Sequence, residues 1–299
     1  MIVQEAVACG GNNLKLNGIQ TPQLDASILL AHVLKTNRTL LFAAGNEPIS
    51  DVDAKTYFEL IERRIKGECV AYLTGKKEFW GLEFTVNKSV LVPRPETEIL
   101  VETALGILKE VNKKREDGKI NEEPGTNSLN VIDLCTGSGV IAVSIKHEMP
   151  QVDIYAVDIC NEAVETAKDN ASVLLPGNNI HFCLGDLYDV FSGSQLPVFS
   201  LIVSNPPYVP SGEIKTLSLE VQNEPRLALD GGDDGLDIVR SIINGAPRFL
   251  THGGVLLLEA DPRQMDCISG LLENRGFKDI MIYKDLSGFN RVIKGVYGQ

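Results

Sequence analysis

The chain lacks the marks of a membrane protein or a metalloprotein. No segment of its 299 residues approaches eighteen consecutive apolar positions, and Met1-Ile2-Val3-Gln4-Glu5 carries no basic leader, so neither a spanning helix nor a signal peptide is expected. The six cysteines (Cys9, Cys69, Cys135, Cys160, Cys183 and Cys267) form no CxxC pair, and no two of the four histidines stand at ligand spacing. That pattern points to reduced thiols, a cytoplasmic setting and no metal site. Positive charge is also scarce: 28 Lys and Arg face 40 Asp and Glu, for a net charge of −12. Residues 1 to 85 are nearly balanced, nine basic against ten acidic, so the deficit lies beyond them, 19 against 30. An acidic half of this kind is a poor electrostatic partner for a phosphate backbone, and no direct nucleic-acid partner is expected.

What is present reads as an ordinary globular protein, 43% apolar and 23% charged, long enough for two domains. The first 75 residues have helical period. Thr21-Pro22 is an N-cap followed by a first-turn proline, with Leu24, Ile28, Ala31 and Leu34 recurring on one face. Ser50 with Asp53 opens a second helix, and Gly67 ends it. From Glu78 the period changes. Phe79 to Val86 and Val90 to Val92 are β-rich, and Asn87-Lys88-Ser89 between them predicts a hairpin joining two domains. Pro95 with Glu96 and Glu98 fits a helix start whose stripe is Ile99, Leu100, Ala104, Ile107, Leu108 and Val111; the two glutamates serve either the helix dipole or a site. Lys113 to Ser128 predicts a mobile loop. Beyond it, strand and helix alternate. Strands are expected at 129–134, 154–159, 180–184, 199–203, 255–259, 280–283 and 291–296, and helices at 140–147, 161–172, 236–249 and around 265–274, the pattern of a mostly parallel sheet covered on both faces.

The chain turns on Ser204-Asn205-Pro206-Pro207-Tyr208, which follows the buried run Phe199 to Val203. Two prolines cannot donate to a ladder, so the strand ends at Asn205, with little backbone freedom left around it. The Asn205 amide and the Pro206 carbonyl offer two acceptors, and Tyr208 offers a flat ring, a set that suits a planar NH2 group. The first strand-to-helix turn, Asp133-Leu134-Cys135-Thr136-Gly137-Ser138-Gly139, gives backbone access through its glycines. Asp158 ends the next strand 21 residues after Gly137, where a carboxylate meets a ribose diol. Taken alone, that pattern also fits a nicotinamide dehydrogenase. Asp186, ending the third strand before Leu187, adds a partner for an adenine amino group and favours S-adenosylmethionine.

These motifs resemble the HemK/PrmC family of protein-(glutamine-N5) methyltransferases, which modify the Gly-Gly-Gln tripeptide of bacterial peptide chain release factors. The likeness runs through Ala71 to Gly75, Glu78 to Leu82, Pro93-Arg94-Pro95-Glu96-Thr97-Glu98, the glycine turn, Asn205 to Tyr208, Glu224 to Leu229, Gly231-Gly232 with Asp234-Gly235-Leu236, and Asp285-Leu286 near Arg291-Val292. Asn-Pro-Pro-Tyr alone also occurs in methyltransferases acting on nucleobase amino groups, and the segment before Pro95 narrows the likeness. Cys135 stands where the family usually has glycine, and Glu259-Ala260-Asp261 replaces a more usual Glu-Ile-Gly.

The resemblance implies an α/β fold: a Rossmann-like S-adenosylmethionine-dependent methyltransferase domain over residues 95–299, a helical substrate-recognition domain over 1–75, and a β-hairpin linker over 76–94. It implies a monomer that holds S-adenosylmethionine through Cys135, Thr136, Gly137, Ser138, Gly139, Asp158, Asp186, Leu187 and Asn205. Methyl transfer is then in line, with Asn205 and Pro206 orienting the glutamine amide and Tyr208 stacking on it. Pro207, Glu224 and Arg226 complete the substrate contacts, or Glu224 and Arg226 pair with each other. Two other readings stand beside this one: an adenine-N6 methyltransferase of DNA or RNA, and a cofactor-dependent binding module without catalysis.

Overall fold

Helix starts in the first 75 residues follow their capping chemistry. In the computed structural model, which describes residues 1–117, 129–177, 179–191 and 197–298, the N-terminal segment forms α1 (Val3–Leu16), α2 (Pro22–Val33), α3 (Arg38–Ala43), α4 (Asp51–Ile65) and α5 (Val70–Thr74). Ser50 Oγ accepts the Asp53 backbone N–H at 3.0 Å and so caps α4. Thr21 instead donates its hydroxyl to Asp25 Oδ1 at 2.7 Å. The buried face of α2 is Ala26, Leu29, Leu30 and Ala31, and Leu24, expected on that face, is exposed. This compact unit also recruits residues 217–223. Buried Arg64 explains the recruitment: it pairs with buried Asp25 at 2.8 Å and with Glu220, while Asn223 Nδ2 donates to the Gly67 carbonyl at 3.1 Å.

The second unit, residues 77–216 and 224–299, carries the sheet. Its hairpin differs from the expected one. Strands β1 (Lys76–Phe79) and β2 (Leu82–Thr85) are joined by Trp80-Gly81, both with positive φ (53° and 70°), a two-residue turn matched to strand twist. Phe79 to Val86 is therefore two strands, and Val90 to Val92 is none. Phe79 and Phe84 enter the sheet's hydrophobic core, and Asn170 pins Thr85 by accepting its N–H and donating to its carbonyl.

After the single turn Pro95–Thr97, α6 (Glu98–Glu116) runs through Lys113 to Glu116, four residues expected in a loop; the rest of that predicted loop, 118–128, lies outside the described residues. There follow β3 (Asn130–Leu134), α7 (Val140–Glu148), β4 (Asp153–Asp158), α8 (Asn161–Leu174), β5 (His181–Leu184), β6 (Phe199–Ser204), α9 (Asp237–Gly245), β7 (Leu250–Glu259), α10 (Met265–Asn274), β8 (Phe277–Lys284) and β9 (Asn290–Tyr297). The seven-stranded sheet has the order β5-β4-β3-β6-β7-β9-β8, parallel from β5 to β7 and antiparallel over the last two pairings.

Alternation along the strands divides the core. Val131, Leu201, Val203 and Leu257 face α6, α7 and α8, whereas Ile132, Leu134, Ile202, Leu256 and Leu258 face α9 and α10. Chain direction across the sheet reverses between β3 and β6, and the crevice at their carboxyl ends is where this architecture binds ligands.

Candidate active site

Register brings the two signature loops together. Leu134 pairs with Ser204 at the ends of β3 and β6, so the glycine turn and the Asn-Pro-Pro-Tyr segment leave the sheet side by side. A cavity of about 200 Å³ opens there, lined by Cys135, Thr136, Gly137, Ser138, Asp158, Asp186, Leu187, Asn205 and Pro207. Arg94, Thr97, Leu227, Ala228 and Ile238, which the sequence did not single out as site residues, lie in the same wall.

Carboxylates around the glycine turn shape its backbone. Asp158 Oδ2 accepts the Gly137 N–H at 2.8 Å and Oδ1 accepts the Cys160 N–H at 2.9 Å. Burial nevertheless raises its carboxyl above the usual range. Asp133, wholly buried, takes the Thr136 hydroxyl at 2.6 Å and the Ala142 N–H at 3.2 Å on Oδ2, and burial pushes it up to about 7. Gly137 turns the chain at φ 56°. Gly139 plays a different part from the expected one: it does not line the cavity, and a Cβ there would meet the Ala167 Cβ at 3.0 Å, so it lets α7 start against α8. Cys135 occupies the left-handed region at φ 59°, which is why glycine suits that position, and desolvation raises its thiol.

At the end of β6, Asn205 Nδ2 donates to Thr97 Oγ1 at 3.2 Å, while Asn205 Oδ1 is buried without a hydrogen-bond partner among the described residues. Glu259 closes β7 as a buried carboxyl, which burial pushes up to about 7 despite nearby Arg291, and its Oε2 has no hydrogen-bond partner among the described residues. Pro206 and Tyr208, expected to hold the substrate amide, are not among the residues that line the cavity. Tyr208 holds the loop through its backbone. Its carbonyl accepts from Gln264 Nε2 at 3.0 Å, and a Cβ on Gly235 would strike that carbonyl at 2.3 Å, so the glycine of Asp234-Gly235 permits the loop's close approach.

Glu224 and Arg226 do not pair with each other. Glu224 is buried, accepts the Val92 N–H at 3.0 Å and holds Arg94, while exposed Arg226 pairs with Asp230 at 2.9 Å. Glu98 accepts the Trp80 N–H at 3.1 Å, a structural bond between helix and hairpin. Thr97 and Glu259, quoted in the sequence only within longer motifs, and Gln264 were not expected as site residues. The one available signal was Glu259, an acid closing a central parallel strand at the ligand end of the sheet.

The donor set fits S-adenosylmethionine: a turn open to close approach, carboxylates at adjacent strand ends, and beside them an amide oxygen without a partner among the described residues. Fold and crevice together place the chain among the Rossmann-like S-adenosylmethionine-dependent methyltransferases. Residues 120–289 match the methyltransferase small domain family model, and residues 5–75 match that of the PrmC N-terminal domain. The chain is 38% identical to the release factor glutamine methyltransferase of Neisseria gonorrhoeae, over 92% of this chain and 94% of that one. It is also 38% identical to the enzyme of the same name from Deinococcus radiodurans, over 93% and 92%. A methyltransferase structure from Pyrococcus furiosus superposes with a TM-score of 0.52 at 16% identity, covering 80% of this chain and 99% of that one, a likeness of fold alone. The chain belongs to the release factor glutamine methyltransferase family.

Proposed function

We propose that this protein transfers a methyl group from S-adenosylmethionine to the side-chain amide nitrogen of the glutamine in the Gly-Gly-Gln motif of bacterial peptide chain release factors. The observation that carries the reading is Asn205 Oδ1, a buried acceptor beside the cavity with no hydrogen-bond partner among the described residues. A buried polar atom left unpaired costs about 1–3 kcal/mol, a cost relieved when a substrate N–H arrives.

When bound, S-adenosylmethionine supplies an electrophilic methyl on its sulfonium. Asp158 and Asp186 take the ribose and adenine polar groups, and the Cys135 to Ser138 turn receives the remainder of the cofactor. An amide nitrogen is a weak nucleophile because its lone pair is delocalised into the carbonyl. Asn205 Oδ1 accepts one of its N–H groups, turns its lone pair toward the methyl and adds electron density. Orientation of this kind recovers several kcal/mol of barrier. After transfer the positively charged amide is acidic, so a weak acceptor suffices to take its proton. Residues 1–75 carry no cluster of reactive side chains, and we assign them to recognition of the intact protein substrate.

The test is incubation with tritiated S-adenosylmethionine and, separately, a release factor, a duplex DNA and an RNA. Label in the release factor alone supports the reading. Label in a nucleic acid supports a base methyltransferase, and no label anywhere supports a binding module.

A further inference from the structure

Asn170 lies within α8, 2% exposed, and turns its whole amide toward backbone groups of two other segments. Its Oδ1 accepts the Thr85 N–H at 2.7 Å, and its Nδ2 donates to the Thr85 carbonyl at 3.0 Å and to the Ser138 carbonyl at 2.9 Å. One acceptor and two donors on a short stem match those three groups, whereas aspartate lacks the donors and serine has a single proton. The close approach of α8 to the glycine turn is possible because Gly139 carries no Cβ against Ala167.

The two segments are different parts of the cavity wall. Ser138 belongs to the glycine turn and lines the cavity, and from Thr85 the chain runs on into Ser89, Val90, Leu91, Pro93 and Arg94, which line it too. A second tie secures that run to α8: Asn87 Nδ2 donates to Thr166 Oγ1 at 2.8 Å, and the Thr166 proton goes to the Glu162 carbonyl at 2.7 Å. That tie stops at α8; the Asn170 amide continues to the glycine turn. A hairpin of two four-residue strands is marginal by itself, so its order depends on such attachments and on Phe79 and Phe84 in the core.

We propose that Asn170 is a positioning residue that couples the hairpin to the cofactor's seat, so that S-adenosylmethionine bound at the glycine turn also orders β2 and the run from Ser89 to Arg94. This rests on the reading of the Cys135 to Ser138 turn as part of that seat. The coupling is reciprocal: whatever steadies the hairpin tightens cofactor binding by the same factor.

The experiment is amide hydrogen exchange on the full chain with and without S-adenosylhomocysteine, followed in the glycine turn, in β2 and in β8, whose change gives the part due to global unfolding. Calorimetric titration of S-adenosylhomocysteine accompanies it. In wild type the ligand is expected to slow exchange in the turn and, by about fivefold beyond the change in β8, in β2. Asn170→Ala should keep the slowing in the turn, lose it in β2 and bind the ligand about tenfold more weakly. Asn170→Asp, which keeps the shape and the acceptor for the Thr85 N–H but not the donors, should behave alike and serves where alanine fails to fold. Thr166→Val removes the second tie and leaves the Ser138 bond, so it should retain the slowing in β2 and an affinity within about threefold of wild type, whatever it loses in stability. Slowing in the wild-type turn without slowing in β2, or slowing in β2 that persists in both Asn170 variants, overturns the coupling and leaves the cofactor's seat in place. Equal loss in Thr166→Val and Asn170→Ala overturns it as well, since destabilisation alone would then account for both. No slowing in the wild-type turn overturns the seat and the coupling together.

Discussion

Ser204 Oγ donates to the carbonyl oxygen of Leu134 at 2.7 Å, a bond between the last residues of two parallel strands, buried at 0% exposure on both sides. It lies where the glycine turn and the Asn-Pro-Pro-Tyr loop diverge, so it fixes the spacing of the two loops that line the cavity. Ser204→Ala removes it and leaves the Leu134 carbonyl short of a partner. The expected loss is about 1–2 kcal/mol of unfolding free energy, together with weaker S-adenosylhomocysteine binding. Urea denaturation and calorimetric titration check the two effects.

Cys135 makes a separate prediction about strain. A non-glycine residue in the left-handed region costs about 1–2 kcal/mol, offset in part by the greater freedom glycine has when unfolded. Cys135→Gly is therefore expected to match or exceed the wild-type melting temperature. Cys135→Val, β-branched at the same φ, should be destabilised by about 1–3 kcal/mol. A valine variant as stable as wild type would contradict the positive φ.

Asp158→Ala is expected to weaken S-adenosylhomocysteine binding at least tenfold, since each charge-assisted hydrogen bond contributes about 1.5–3 kcal/mol. The same carboxylate accepts the Gly137 and Cys160 N–H groups, so Asp158→Asn, which keeps one acceptor oxygen, should fall between. An unchanged dissociation constant in the alanine variant would reject the ribose assignment.

Asp133 gives stability a pH dependence of definite sign. Its folded value, about 7, is raised above the ordinary 3.8, so between those values the folded protein keeps a proton that the unfolded chain has released. Its contribution is therefore greatest below about pH 4 and is lost as pH rises toward 7, on the order of 2–4 kcal/mol in all. Asp133→Asn keeps the oxygen that Thr136 and Ala142 use and cannot ionise. Relative to wild type it should gain stability as pH rises from 4.5 to 7.5, as read by denaturant titration at several pH values. A constant difference across that range would mean that Asp133 does not titrate there.

Much of this was legible in the chain because local signals and tertiary demands agree. Apolar runs ending in Asp158, Asp186 and Asn205 are parallel strands with polar groups at their ligand ends, and the sheet delivers all three to one cavity. The hairpin was misplaced because Trp80-Gly81 is not a strong turn signal and the run from Phe79 to Val86 reads as one strand. The Glu224 and Arg226 alternative failed for a different reason. Their neighbourhood in sequence suggested a pair, but one is buried under Arg94 and the other faces solvent beside Asp230. Thr97 meets Asn205 only through the fold, across 108 residues, a contact that spacing along the chain cannot reveal.

The most direct test is the rate of a single turnover by Asn205→Ala and Asn205→Asp, each saturated with S-adenosylmethionine, on a release factor. The backbone around Asn205 is held by Pro206 and Pro207, so fold and cofactor affinity should survive both changes. Alanine should lose about a hundredfold to a thousandfold in rate, the size of effect seen when one oriented polar group is removed from a reacting centre. Aspartate keeps an acceptor oxygen but loses the Nδ2 donor to Thr97, and should lie between alanine and wild type. Transfer by the alanine variant at the wild-type rate would contradict the central claim that the Asn205 amide oxygen orients the reacting nitrogen.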